Sequence, residues 1–364
     1  MAVTAPNLST ISNLHPPAGG RSVLIVGNFL SQSGATRGVC EDLAERLPAY
    51  GWRVNTTSHH VGRMRRLADM LSTAWRTRHD YGFAQVDVYS GSAFYWAVAV
   101  CGLLRTLHKP YILTLHGGNL PAFSRRRQRM VRALLRSAAA VTAPSRYLAE
   151  EMGQFRVDIQ VLPNAIDLTN YPFRHRTAAQ PRLIWLRAIH QIYEPSLPIR
   201  ALARLQEQFP DIRLVMVGPD KGDRSLEEAR ALAKQLGVHQ RIQFVGRVPK
   251  EDIGQWMNTG DIFLNTSSVD NCPVTVLEAM ACGACVVTSQ VGGIPYLCTQ
   301  GVDAMLVPPG NADAIADSVT QILRRPELAS ALSRNGRYRV EQLDWAAILP
   351  RWGALLRLVA GQCS

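Results

Sequence analysis

The chain has 364 residues, 47% of them apolar and 19% charged, the balance of a soluble globular protein and not of a disordered or fibrous one. That length exceeds what one small core organises and suits two domains. Charge is lopsided: residues 1–178 hold 21 Lys+Arg against 10 Asp+Glu, whereas 179–364 hold 19 against 18, so the first half calls for an anionic partner.

Residues 1–20 lack the basic start and apolar core of a signal peptide and read as a solvated, disordered tail. Short β-rich runs then alternate with helical patterns. Residues 23–28 (VLIVGN), 86–90, 111–115 (YILTL), 141–143 and 159–162 predict strands, with helices such as 38–49, 93–107 and 125–139 between them. This is the βαβ rhythm of a parallel sheet covered on both faces. The longest apolar run, 93–104, is too short to cross a bilayer and predicts a buried helix. A loop rich in Pro, Arg and Thr at 171–181 interrupts the rhythm, which restarts with strands at 183–186, 214–217, 242–245, 262–265 and 286–288. The tail at 344–360 is helical and rich in Trp and Leu. The predicted fold is α/β: one doubly wound domain over 21–176 and a second over 177–343, facing a cleft that holds ligands at the carboxyl ends of the strands. Seven cysteines, an odd number scattered over both halves, argue against a disulfide framework and for a reducing cytoplasm.

Several strand ends carry chemistry. After the first strand, a Gly/Ser loop running from Gly27 through Gly34 and Arg37 to Gly38 opens a helix, as loops do where amides approach a phosphate. It is neither a Walker loop nor a clean GxGxxG, and alone it reads as a plain turn. His116-Gly117-Gly118 follows YILTL directly, which exposes an imidazole to the cleft. Arg187 ends the first strand of the second half. Residues 270–295 read DNCPVTVLEAMACGACVVTSQVGGIP, a polar loop, an amphipathic helix, a β run and a Gly292-Gly293 turn. Pro273 at the first helical position leaves the next amides, on Val274 and Thr275, facing outward at the positive end of the helix dipole. That is a phosphate seat, with Glu278 a turn further in. Cys282 and Cys285 form a C-x-x-C in a small-residue turn and read as packing. No Asp-x-Asp pair and no metal-ligand spacing occurs, so no metal is expected. In the run 124–139 (SRRRQRMVRALLRSAA) a helix would stack Arg125, Arg129, Arg132 and Arg136 in one stripe, with Met130, Val131, Leu134 and Leu135 opposite. Such a stripe suits an anionic membrane surface; nucleic acid is not expected, since no aromatic residues interleave to stack bases.

Asp270 and Glu278, eight positions apart, with the wording that trails them, resemble the Glu-x7-Glu signature of retaining glycosyltransferases of family four, which have the GT-B fold. The resemblance covers roughly 22–345. It implies that a nucleotide-diphosphate sugar (UDP, GDP or ADP) binds the second domain and an acceptor the first, with no cofactor. Arg187 would clamp the diphosphate, Glu278 would hold the ribose, Asp270 the donor sugar, and His116 would steady developing charge. Gly34 would face the diphosphate from across the cleft. Gly218, Arg247 and Val248 would line the base pocket, and Asn271, Cys272, Pro273, Val274 and Thr275 would complete the donor site. Val161 to Asp167 resembles the family's IPNGID turn, with Ala165 for Gly. The last helix would cross back onto the first domain through Trp345 and Trp352. Two departures stand out. Asp270 replaces the first Glu, and Ile192 and Tyr193 occupy the positions of the usual phosphate-binding lysine, so that either Arg37 or Lys221 substitutes or the diphosphate is held more weakly. The implied function is sugar transfer to a glycan or glycolipid of cell-envelope or exopolysaccharide biosynthesis, in the cytoplasm or on the inner face of its membrane. A GT-B isomerase or phosphorylase, a sugar-nucleotide-binding scaffold without turnover, and a nucleic-acid-binding protein are the rival readings.

Overall fold

Short runs, most of them apolar, form the strands. The computed structural model describes residues 21–31 and 38–361, so the tail read at 1–20 and the loop residues Gly34 and Arg37 lie outside it. In the first half β1 (Ser22–Val26), β2 (Arg53–Thr57), β3 (Phe83–Val88), β4 (Tyr111–Leu115), β5 (Ala140–Ala143) and β6 (Ile159–Val161) form a sheet of order β2-β1-β3-β4-β5-β6. In the second, β7 (Arg182–Leu186), β8 (Arg213–Val217), β9 (Ile242–Gly246), β10 (Ile262–Asn265), β11 (Cys285–Ser289) and β12 (Met305–Val307) pair as β12-β11-β10-β7-β8-β9. Every pairing is parallel, with Val23 opposite Phe83 and Ile262 opposite Leu183. This is the predicted pair of doubly wound sheets. The direction in which successive strands are added to the sheet reverses between β1 and β3 in one sheet and between β7 and β10 in the other, and ligands settle at such switch points.

Side chains alternate across each sheet, so each face has its own core. Leu24, Val26, Ala84 and Val86 pack under the helices Arg63–Arg76, Ser92–Thr106 and Gln128–Arg136. On the opposite face Val23, Ile25 and Phe83 meet the helix Trp345–Gly361 through Trp345, Leu349, Trp352 and Leu356. The second sheet is likewise covered on both sides. The segment that leads into it is pinned: Arg176, fully buried, donates to the Arg174 and Cys282 carbonyls and to Asn258, while Arg174 and Arg182 pair with buried Asp261.

The structure adds two strands that apolar runs do not announce. β2 (RVNTT) is a half-exposed edge of polar residues, and β12 is three residues long. It also breaks the helix expected over 125–139. Arg127, at φ −130 and ψ 34, separates Leu120–Arg126 from Gln128–Arg136. Ser124 Oγ bonds back to the Leu120 carbonyl (2.7 Å), an arrangement that loosens helices. The four-arginine stripe is therefore not continuous. Arg125 sits on the first piece paired with Glu151 (2.6 Å), and Arg132 lies over Phe155, which leaves Arg129 and Arg136 exposed on the second piece together with Met130.

Candidate functional site

β7 delivers Arg187 at its carboxyl end, where the Arg187 amide bonds to the Val217 carbonyl (3.0 Å). Beside it Gly218 has φ +147, and a Cβ there would collide with the Arg187 carbonyl oxygen. Only glycine permits β7 and β8 to end so close together. The Arg187 guanidinium reaches Asp270 Oδ2 in an ion pair, approaches Ser267 Oγ (3.4 Å) and lies over the Tyr193 ring, 4.6 Å from its centroid. Its Nε is buried without a partner. Asp270 Oδ1 accepts from the Asn271 amide (2.9 Å).

Asp270 stands in the loop that leaves β10. Thr266 Oγ1 accepts from Trp185 Nε1 (2.9 Å) and donates to the Tyr193 carbonyl (2.6 Å), while the Ser268 amide and hydroxyl donate to the Ile192 carbonyl (2.9 and 3.0 Å). Across the loop, Gly292 and Gly293 press against the Asp270 and Asn271 carbonyls, and a Cβ on either would overlap them. The loop ends at Pro273, which takes an extended conformation (φ −68, ψ 114) as the helix N-cap, so the helix is Val274–Ala281. Expected as the first helical residue, Pro273 lies one place earlier. The Val276 and Leu277 amides bond the Pro273 carbonyl (3.1 and 3.4 Å), whereas those of Val274 and Thr275 have no carbonyl within the helix to bond and carry its positive end. Thr275 Oγ1 is buried with no partner, an orphan donor in the same turn. One turn in, Glu278 is 3% exposed and accepts from the Tyr171 hydroxyl (2.7 Å). Burial pushes its carboxyl above the ordinary range, and Tyr171, Lys250 and Arg187 only partly oppose this.

The first domain meets this loop with its own strand ends. Gly118 comes so near that a Cβ would lie 2.8 Å from Val269 Cγ1 and 3.1 Å from the Asp270 carbonyl carbon. Ser145 Oγ donates to Asn271 Oδ1 while accepting from the Leu148 amide, and Asn164 Nδ2 donates to the Cys272 carbonyl (3.3 Å). His116 is buried, stacked on Tyr89 (4.7 Å between centroids), with Nε2 3.0 Å from Asp87 Oδ1. The carboxylate accepts, so Nε2 donates to it. Asp87 also receives Gln85 Nε2 (2.8 Å), and its Oδ2 is buried without a partner.

Arg187, Gly218, Asp270, Asn271, Cys272, Pro273, Val274, Thr275 and Glu278 thus gather around the second switch point. His116 approaches from the other sheet on the loop that carries Gly118. Arg247, exposed, and Val248, half-buried, sit at the end of β9, whose Gly246 carbonyl bonds the Gly218 amide (2.8 Å). Lys221 is exposed beyond β8. A cavity of about 580 Å³ between the domains is lined by Tyr171, Lys250, Val274, Asp42, Arg46 and Asp167, a size usual for small-molecule sites. A second, of about 540 Å³, lies against Asn271 and Cys272 with Ser145, Tyr296 and Tyr338. Sequence reasoning missed Asp87, Tyr171 and the contact of Tyr193 with Arg187. Only Asp87 left a signal: Gln85 and Asp87 alternate on one face of a strand whose residues are all buried. Cys282 and Cys285 are buried, and their thiols bond the Gly254 and Ala329 carbonyls. Among the described residues no group of three His, Cys, Asp or Glu side chains is placed to hold a metal ion.

Residues 21–170 match the model of Glycosyltransferase Family 4, and residues 179–339 that of Glycosyl transferases group 1. A D-inositol 3-phosphate glycosyltransferase of Kribbella flavida is 26% identical over 268 residues, covering 69% of this chain and 63% of the relative. A GDP-mannose-dependent alpha-(1-6)-phosphatidylinositol monomannoside mannosyltransferase of Mycolicibacterium smegmatis is 30% identical over 172 residues, 45% of this chain and 44% of the relative. The matches span less than two-thirds of the length of these relatives. Among solved structures, sucrose-phosphate synthase from Thermosynechococcus elongatus superposes with a TM-score of 0.78 at 20% identity, over 94% of this chain and 100% of that one. Anabaena HepE in complex with UDP and glucose gives 0.77 at 19% identity, over 93% and 99%. These likenesses show the fold, GT-B. Matched in both halves, the chain belongs to the family-four, group 1 glycosyltransferases.

Proposed function

We propose that this protein is a retaining glycosyltransferase that moves a sugar from a nucleotide-diphosphate sugar to an acceptor of cell-envelope or exopolysaccharide biosynthesis. One observation carries the reading: a helix start with free amides, a guanidinium and a buried carboxylate converge at the switch point of the second sheet. The Val274 and Thr275 amides and Arg187 would take the diphosphate, neutralising the charge that grows on it as it leaves. Glu278 would accept from ribose hydroxyls, with Gly218, Arg247 and Val248 toward the base. Asp270, Asn271 and Cys272 would border the donor sugar. Asp87 orients His116, whose imidazole would hydrogen-bond a sugar hydroxyl. The leaving phosphate oxygen would take the acceptor's proton on the same face, which retains configuration and needs no separate base. Closure of the domains would exclude water and suppress hydrolysis. The UDP in the Anabaena neighbour and the GDP-mannose named for the Mycolicibacterium relative make UDP and GDP the first donors to test.

The test is release of nucleoside diphosphate from a panel of UDP, GDP and ADP sugars with glycan and glycolipid acceptors, the product's anomer read by NMR. Transfer with inversion, or none, contradicts the proposal. One observation favours a second reading, a sugar-nucleotide-binding scaffold: Asp270 already occupies the Arg187 guanidinium. Tight nucleotide binding without turnover in that panel would select it.

For the acceptor side we infer reversible attachment to the inner, anionic membrane surface. The helices over one face of the first sheet expose Arg63, Arg65, Arg129 and Arg136 together with Met64 (77%) and Trp75 (51%). Each arginine near an anionic leaflet is worth about 1 kcal/mol. No helix among the described residues is long and apolar enough to cross a membrane. Co-sedimentation with phosphatidylglycerol vesicles, and its loss at high salt, tests this; equal binding to neutral vesicles contradicts it.

A further inference from the structure

Where the family resemblance expects a second phosphate-binding cation, this chain has the short turn Gln191–Tyr193, and the Arg187 guanidinium carbon lies over the Tyr193 ring, 4.6 Å from its centroid. The turn is held. The Ile192 amide donates to His190 Nδ1 (3.1 Å), the Ile192 carbonyl takes two bonds from Ser268, and the Tyr193 carbonyl takes one from Thr266. The backbone that carries the ring is therefore tied to the same loop that carries Asp270. Arg187 then has one face on an aromatic ring, Nη2 on Asp270 and Ser267, and a buried Nε that nothing claims. An unpartnered guanidinium N–H in a donor site is a place kept for a ligand atom.

We propose that Tyr193 is a positioning residue for the donor reaction: its ring holds the Arg187 guanidinium in one plane, so that the arginine exchanges Asp270 for the donor's diphosphate without reorienting. A lysine would add charge at this place; a tyrosine supplies orientation. A planar guanidinium retained on a ring loses little freedom when it binds two phosphate oxygens side by side. Released from Arg187, the Asp270 carboxylate becomes free to accept from hydroxyls of the donor sugar. The inference rests on the assignment of Arg187 to the diphosphate.

Binding of UDP, GDP and ADP, by calorimetry, tests both layers separately. Tyr193→Leu should weaken the nucleotide that binds wild type by roughly 5- to 30-fold, the range of a desolvated cation–π contact. Tyr193→Phe and Tyr193→Trp, which keep the ring face, should stay within about twofold of wild type. In an Arg187→Ala background, Tyr193→Leu should cost nothing further, which a general packing defect would not reproduce. Unchanged binding by Tyr193→Leu, additive losses in the double variant, or failure of Tyr193→Phe overturns the positioning role. If Arg187→Ala itself binds like wild type, or no diphosphate binds wild type, the donor-site reading fails first and takes this inference with it.

Discussion

Glu278 is the residue whose surroundings make the sharpest demand. An unliganded carboxylate enclosed this fully is costly when ionised, and its folded value is raised above the ordinary 4.5. A raised folded value contributes stability fully below 4.5 and loses it as pH climbs through the folded value. At pH 7, then, Glu278 weighs against the unliganded fold. Glu278→Gln should melt higher than wild type at pH 7 without ligand, with the gap closing toward pH 4.5, in differential scanning fluorimetry. The same variant should lose the nucleotide's stabilisation, about 2.7 kcal/mol for wild type at a hundred times the dissociation constant. An unliganded variant that melts lower, or one still stabilised by nucleotide, contradicts the ribose role. The spacing of Asp270 and Glu278 was legible because it lies along one helix start. The Arg187–Asp270 pair and the Tyr171–Glu278 bond were not, because they join residues 83 and 107 positions apart that only the completed fold brings together.

At the scale of elements, strand ends decide what the site can be. Gly218 lets the Arg187 carbonyl pass where any Cβ would stand, and it does so at φ +147, which side chains rarely adopt. Gly218→Ala should therefore cost about 1–3 kcal/mol in strain and displace Arg187, seen as a lower melting temperature together with weaker nucleotide binding. Stable folding with unaltered binding would show that the β7–β8 junction does not set the arginine. Most strands announced themselves as short apolar runs. β2 did not, because an edge strand half in solvent needs no apolar run, and β12 is too short to show a period. The arginine helix misled for a local reason: Ser124 turns its hydroxyl onto the backbone, and the periodicity of 124–139 does not register that competition.

Over the whole molecule, two sheets meet through loops rather than through a broad apolar face. Cross-domain contacts among the described residues include the hydrogen bonds of Ser145 with Asn271, Asn164 with Cys272 (3.3 Å) and Tyr296 with Glu150 (2.8 Å), the ion pair of Lys250 with Asp42 (3.4 Å), and the Tyr147 ring 6.1 Å from that of Tyr296. Such contacts suit a cleft that opens and closes. The helix Trp345–Gly361, by contrast, is anchored in the first domain's core, with Trp352 3% exposed. Trp352→Ala should cost about 3–5 kcal/mol in urea unfolding, and a loss below 1 kcal/mol would mean that this helix is dispensable to the domain. The pairing of two doubly wound units was readable from the rhythm of strands and helices; their strand orders, and hence the two switch points, emerged only from the folded chain. The most direct test of the proposed chemistry is a crystal structure with the nucleoside diphosphate that wild type binds best. The expected density places the phosphates on the Val274 and Thr275 amides, with the Arg187 guanidinium, still over the Tyr193 ring, bonded to them in place of Asp270. Phosphates bound elsewhere, with the Arg187–Asp270 pair intact, would contradict it.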